Sequence, residues 1–180
     1  MKLFMDIDQT LLYSFRVGQR KPEMKPDARI ALTKEDTYDL YFRPDIELLE
    51  TVPFTIVSSG GSAYVLAIAD LLHRRGFMVE GFHDVNDLPK YPEDVKPTIT
   101  DEPAVLIDDL RRGQAGVEAK LAVLPGTVHR QVDPWIEKIA PKIQPGESMR
   151  DYLARPKKVI LELVRTEESR SFEECLEGFI

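Results

Sequence analysis

Three short apolar runs, Leu3 to Ile7, Phe54 to Val57 and Ala104 to Ile107, each give way abruptly to a polar cluster. The clusters are Asp6-Ile7-Asp8-Gln9-Thr10, Ser58-Ser59-Gly60-Gly61-Ser62 and Asp108-Asp109. Runs this short suit strands buried on both faces of a parallel sheet. In open α/β sheets the chemistry gathers at the carboxyl ends of the strands, so three strands are expected to deliver polar side chains to one edge. Phe77 to Phe82 reads as a further strand, and Leu121 to Leu124, closed by Pro125-Gly126, as a fifth. The expected fold is α/β: a Rossmann-like, mostly parallel sheet of about five strands flanked by helices.

Residues 13 to 43 interrupt that pattern. Gly18, Pro22 and Pro26 punctuate a polar stretch, and Ile30 to Leu32 and Tyr38 to Phe42 then read as two strands around the turn Thr33 to Asp36. This predicts a small β-hairpin cap insertion over the sheet edge. Val65, Leu66, Ile68, Ala69 and Leu72 have helical spacing, with Ser62 as the candidate N-cap and Gly76 as the stop. Pro89, Pro92, Pro97 and Pro103 argue against a long helix between 88 and 104. Beyond Asp133 the expectation is helical: one helix from Pro156 through Arg165, and another behind a capping box at Ser171 and Glu174. The expected organisation is a core over 1–140, with the cap at 13–43, followed by C-terminal helices over 141–180 that pack on the core or serve a partner.

The length of 180 residues suits one core, and 43% hydrophobic with 31% charged residues supports a packed fold. A formal net charge of −7 argues against sequence-blind nucleic-acid binding. The single cysteine, Cys175, allows no disulfide framework and reads as a core residue. Met1 to Met5 run straight into aspartates, which does not match a signal peptide, and no apolar stretch approaches the roughly 20 residues needed to span a bilayer. A cytoplasmic protein without membrane association is the expectation.

Asp6 and Asp8 flank one residue at a strand exit, so alternation sends both carboxylates to one side, with Thr10 two residues on. Such a pair can be a solvated strand end or a set of caps. What favours chemistry is the wider set: an acid pair, a hydroxyl at Ser58, further acids at Asp108 and Asp109, and lysines just upstream of these, all at predicted strand ends. His83 and His129 have no second histidine at metal-ligand spacing and read as surface or satisfied residues.

That set resembles the haloacid dehalogenase superfamily. The matching residues are Asp6-Ile7-Asp8-Gln9-Thr10, Ser58 after Phe54 to Val57, Lys96 or Lys90, and Asp108-Asp109, in the same order, over about two-thirds of the chain. The resemblance implies a phosphatase in which Asp6 is the nucleophile and Asp8 the general acid and base. Asp6, the backbone carbonyl of Asp8 and Asp108 would hold Mg²⁺, with Asp109 beside the metal or the lysine. Ser58 would bind the phosphoryl group, helped by Ser59, Gly60 and Thr10, and Lys96 would stabilise its charge, with Lys90 as the competing choice.

Within the superfamily the insertion ending in Tyr41-Phe42-Arg43-Pro44 resembles the branch that acts on the C-terminal domain of RNA polymerase, which implies phosphoprotein substrates. Gln9 departs from that branch, where an acid is usual. A second resemblance, to small 5′-nucleotidases, implies nucleotides, although their cap is helical. A non-catalytic phosphate-binding relative is the third alternative; Asp6, Asp8 and Asp108 are all retained, whereas such relatives commonly lose an essential carboxylate. A receiver domain would require the acid pair in a different order, and a dehalogenase proper would dispense with Asp8.

Overall fold

A computed structural model describes residues 1–180. In chain order its elements are β1 (Lys2–Met5), β2 (Leu12–Arg16), β3 (Ala28–Ala31), β4 (Thr37–Phe42), a 3₁₀ turn (Ile46–Leu49), β5 (Phe54–Val57), α1 (Ser62–Arg74) and β6 (Val79–His83). A second 3₁₀ turn (Val85–Asp87), β7 (Ala104–Asp108), α2 (Ala115–Val123), β8 (Val128–Gln131), β9 (Trp135–Ala140), α3 (Met149–Ala154), β10 (Lys158–Leu163) and α4 (Phe172–Cys175) follow. No helix is long and apolar enough to cross a membrane.

The expected α/β architecture is present as a five-stranded sheet in the order β6-β5-β1-β7-β8, with every neighbouring pair parallel. Strand alternation divides its apolar side chains cleanly. Leu3, Met5, Phe54, Ile56, Val105 and Ile107 join one core with Val65, Ile68 and Leu72 of α1. Phe4, Val57 and Leu106 join a second with Val123 and Leu124 at the end of α2. Right-handed crossovers explain the division: β5-α1-β6 and β7-α2-β8 step outward in opposite directions, so their helices cover opposite faces. Burying each large aliphatic side chain contributes about 1.5–3 kcal/mol, so the two faces supply most of the driving force.

The turn between β5 and α1 shows how sequence sets this geometry. Gly61, extended at φ −67° and ψ 157°, is the cap, and α1 starts at Ser62, one residue earlier than expected. A Cβ on Gly60 would lie 3.1 Å from the Tyr64 ring and 3.3 Å from Ser58 Oγ, so the close return of the chain there favours glycine. Gly76, at φ +93°, ends the helix in the left-handed conformation predicted for it.

Three expectations change. The cap is a three-stranded antiparallel sheet in the order β2-β4-β3, because Leu12 to Arg16 also pairs with β4 in addition to the hairpin predicted around Thr33 to Asp36. Residues 121–124 finish α2, and the fifth sheet strand is β8; Ala, Glu, Lys and Leu in 115–123 favour helix, and four apolar residues alone could not separate the two states. The region 141–180, expected to be helical, is mixed: α3 and α4 are short helices, but Lys158–Leu163 pairs with β9 instead of forming a helix from Pro156 to Arg165. The β-branched and aliphatic Val159-Ile160-Leu161 sequence suits a pleated surface, and Val159 packs with Phe15 and Tyr41 of the cap. The capping box of Ser171 and Glu174 is formed as predicted, opening the short α4.

One buried side chain ties these parts together. Arg43 Nη1 donates to Thr10 O at 2.6 Å, Nη2 to Asp133 O at 3.3 Å and Nε to Asp45 Oδ1 at 2.8 Å, while the guanidinium lies 4.5 Å from the centre of the Phe172 ring. Arg43→Ala removes all of these contacts and strands two carbonyls, so urea denaturation is expected to show a loss of about 3 kcal/mol. A loss below about 0.5 kcal/mol would mean that Arg43 does not hold the cap to the core.

Candidate functional site

The register of the sheet brings the distant polar clusters together. Met5 lies opposite Ile56 of β5 and Ile107 of β7, so Asp6 comes level with Val57 and Asp108, and Ser58 follows one step on. Connections leave this point in opposite directions, toward β5 and β6 on one side and toward β8 on the other. That makes the β1–β7 crevice the topological switch point where α/β sheets hold ligands.

Asp6, Asp108 and Asp109 are buried, and they offer carboxylate oxygens within 4.8 Å of one another. Between them sits Lys120, 2% exposed, which donates to Asp6 Oδ1 at 2.8 Å and to Asp108 Oδ2 at 2.6 Å. The Thr10 hydroxyl lies 3.2 Å from Asp6 Oδ2 and 3.1 Å from Asp109 Oδ1, with one proton to share between them, and it accepts the Asp109 N–H at 3.0 Å. Asp108 Oδ1 accepts the Leu110 N–H, and Gln131 Nε2 donates to Asp109 O. The site is rigid because each acid is held by at least one donor.

Its electrostatics are unbalanced. Three carboxylates face one ammonium, an excess of two negative charges if all are ionised. Burial first, and then the charge of Asp108, push the Asp6 carboxyl well above the usual range against the opposing pull of Lys120. The same two causes push Asp109 up to about 7. Burial opposes the charge on Lys120, but Asp6 and Asp108 outweigh it and hold the ammonium above its ordinary value. A hard divalent cation would cancel the excess, and each carboxylate keeps lone pairs beyond those already used, so the donor set fits such an ion. The Asp8 carbonyl accepts no hydrogen bond from the chain and is available to the same ion.

The other expected residues fall into distinct places. The Asp8 carboxylate stands apart from the triad at the exposed mouth of the site, where Tyr64 Oη donates to it at 2.7 Å and Ser14 Oγ supports the tyrosine at 3.1 Å. Desolvation in this recess raises its carboxyl, against the tyrosine bond and the charge of Lys120, and access to solvent moderates the rise. Ser58 is buried and accepts the Gly60 N–H at 3.0 Å, leaving its own proton to donate. That bond engages the Gly60 N–H proposed for an anion; the N–H groups of Ser59 and Gly61 have no protein acceptor and are the donors that remain. Thr10 is committed to the carboxylates in place of a phosphate.

Neither lysine expected from the 88–104 loop reaches the triad. Lys96 lies 4.0 Å from Asp94, and with Lys90 it lines a separate cavity of about 410 Å³ that has Ser59 and Ala119 on its wall. The lysine at the carboxylates comes from α2, whose buried positions Val117, Lys120 and Val123 recur every third residue. A lysine on the apolar face of a helix was the available signal, hidden by reading 121–124 as a strand. Tyr64, facing Asp8 from α1, had no comparable mark. His83 pairs with Asp87, and His129 is half-buried on β8. No family model and no curated protein matches this chain.

Because Asp109 holds its proton up to about pH 7 in the fold but only to about 4 when unfolded, the folded state binds more protons across that window. Stability in chelator is therefore expected to fall as pH rises from about 4 to 7, and Asp109→Asn to flatten the fall. Carboxylates held low, such as Asp39 by its bond to Arg29, act below that window. Millimolar Mg²⁺ should raise the melting temperature more at pH 8 than at pH 5, since ligands must be deprotonated. Equal shifts at both values, read by scanning fluorimetry, would contradict a metal held by this triad.

Proposed function

We propose that this chain is a Mg²⁺-dependent phosphomonoester hydrolase of the haloacid dehalogenase type, working through an aspartyl-phosphate on Asp6. The observation that carries the reading is the buried meeting of Asp6, Asp108, Asp109 and Lys120 at the carboxyl edge of a parallel sheet, with Ser58 one step along the neighbouring strand. A structural salt bridge needs no more than matching charges. This cluster carries surplus negative charge beside spare backbone donors, a combination that suits a cation and an anion bound side by side.

Asp6, Asp108, Asp109 and the Asp8 carbonyl would hold Mg²⁺, which when bound supplies the positive charge that lets a carboxylate approach a phosphate ester. An Asp6 oxygen attacks phosphorus as the ester P–O bond breaks, and Asp8 delivers its proton to the departing alkoxide. Water then attacks the phosphorus of the acyl phosphate, Asp8 takes its proton, and inorganic phosphate leaves with Asp6 restored. Lys120 holds Asp6 in place and offsets charge that accumulates on the transferred group, while Ser58 Oγ and the Ser59 N–H donate to its oxygens. The raised carboxyl of Asp8 suits an acid that must be protonated at the start, and Tyr64 fixes its direction.

The mouth at Asp8 is shallow: Asp8, Gln9, Tyr13 and Ser14 line a recess of about 170 Å³. A recess that small leaves the bulk of the alcohol outside, which favours large or tethered esters such as phosphopeptides over a nucleotide enclosed by a cap. Hydrolysis of p-nitrophenyl phosphate with Mg²⁺ is expected, abolished by EDTA and by Asp6→Asn, and slowed about 10²–10⁴-fold by Asp8→Asn. Activity that persists in Asp6→Asn would overturn the mechanism, and a parallel screen of phosphopeptides and nucleotides separates the two substrate classes. Phosphate release from neither class, with tight phosphate binding retained, would favour the non-catalytic alternative.

A further inference from the structure

The edge strand β8 borders a further cavity of about 360 Å³ lined by Arg112, His129, Arg130, Gln131, Glu168 and Arg170. Three guanidiniums face a single carboxylate there, in a chain with 31 acidic and 24 basic residues. Arg130 and Arg170 have no carboxylate within 4.0 Å, and Arg112 has only Glu118 at 3.8 Å. In so acidic a protein, unpaired arginines converging on one concavity run against the average composition of the surface.

The positions are built, not incidental. Arg130 Nη1 donates to the carbonyls of Cys175 and Glu177, both at 2.8 Å, which aims the side chain while leaving its other N–H groups free. The backbone of Arg170 is clamped between Gln131 O and the Asp133 N–H. His129 lines the same wall from β8, with its Nε2 buried and without a hydrogen-bond partner. Gln131 joins this wall to the carboxylate site, because its amide donates to Asp109 O at 3.1 Å and its Cα pairs with that of Asp108.

We propose that this cavity is an oxyanion site for a phosphate group, separate from the carboxylate centre and coupled to it through Gln131. Guanidinium forks match the spacing of phosphate oxygens, and several arginines around one concavity favour a dianion or polyanion over a single carboxylate. The phosphate comes either from a free ligand or from a second phosphate on the substrate; only the latter source rests on the phosphatase reading. Binding itself is independent of turnover.

The test is calorimetric titration of the full chain with inorganic pyrophosphate in EDTA, where the acidic triad repels anions and cannot compete. Saturable binding with one site per chain is expected, weakened at least about tenfold by the double substitution Arg112→Ala/Arg170→Ala and not weakened by Asp6→Asn. Both arginines are exposed, and a matching melting temperature will show that the variant is folded. Equal affinity in the wild type and the arginine variant, or no saturable binding at millimolar pyrophosphate, would overturn the proposal. A KM advantage of bisphosphorylated over monophosphorylated esters that disappears in the variant assigns the site to substrate; binding without that advantage assigns it to a free phosphate. Pyrophosphate binding in a protein that hydrolyses no ester would refute the phosphatase and leave the cavity's role standing.

Discussion

Lys120 and the two carboxylates it touches are the constraint from which the rest of the molecule can be understood. Removing an ammonium from water costs several kcal/mol, and each carboxylate at contact distance returns on the order of 4 kcal/mol at the effective dielectric of a protein. Two partners, Asp6 and Asp108, are therefore enough to keep Lys120 charged inside the fold. They do not suffice for Asp109, which lies behind Thr10 without a cation of its own. The arrangement is stable as a scaffold and incomplete as a set of charges, an imbalance that the proposed cation would complete.

The topology explains why only this point in the fold can host such a cluster. Asp6 and Asp108 follow adjacent central strands, so neither depends on a flexible loop, and α2 lays Lys120 over their shared face through the packing of Val123 and Leu124. Ser58 and Tyr64 arrive from the other neighbour, β5, and from the helix that covers the opposite face. The site thus draws on both cores. Arg43 adds the third dimension, joining the end of the cap to the backbone at Thr10 and Asp133, so the cap's Ser14 is held near Asp8 by the same framework that holds the carboxylates.

What could be read in advance follows from the range of each signal. The parallel strands were legible because a buried strand needs only its own few residues to declare itself, and the acids at 6, 8, 108 and 109 sit at the ends of such runs. Ser58 was legible for the same reason. The lysine was not: sequence proximity to β7 pointed upstream, to 90 and 96, whereas a helix downstream delivers position 120 across twelve residues of chain. The β9–β10 hairpin was missed because Ile160, Leu163 and Val164 also satisfy helical spacing, and only the partner strand at 135–140 decides between the two. Gly60 and Thr10 lie beside Ser58 and the carboxylates, and their hydrogen bonds turn inward to those groups, a choice no local pattern encodes.

Charge also accounts for the relation between the two sites. Gln131, which lines the arginine cavity, pairs in register with Asp108 across β7 and β8, so the arginine wall and the acidic cluster are carried on neighbouring strands. Ion pairs between these arginines and the triad would cancel charge on both sides. They do not pair: Lys120 closes off the acids from one direction, and the carbonyls of Cys175 and Glu177 hold Arg130 in another. Under the two proposals, the acids would take a cation on one side and the arginines an oxyanion on the other. A cation on the acids would weaken the field that repels a nearby anion, so occupancy of the two proposed sites would be coupled through the field they share.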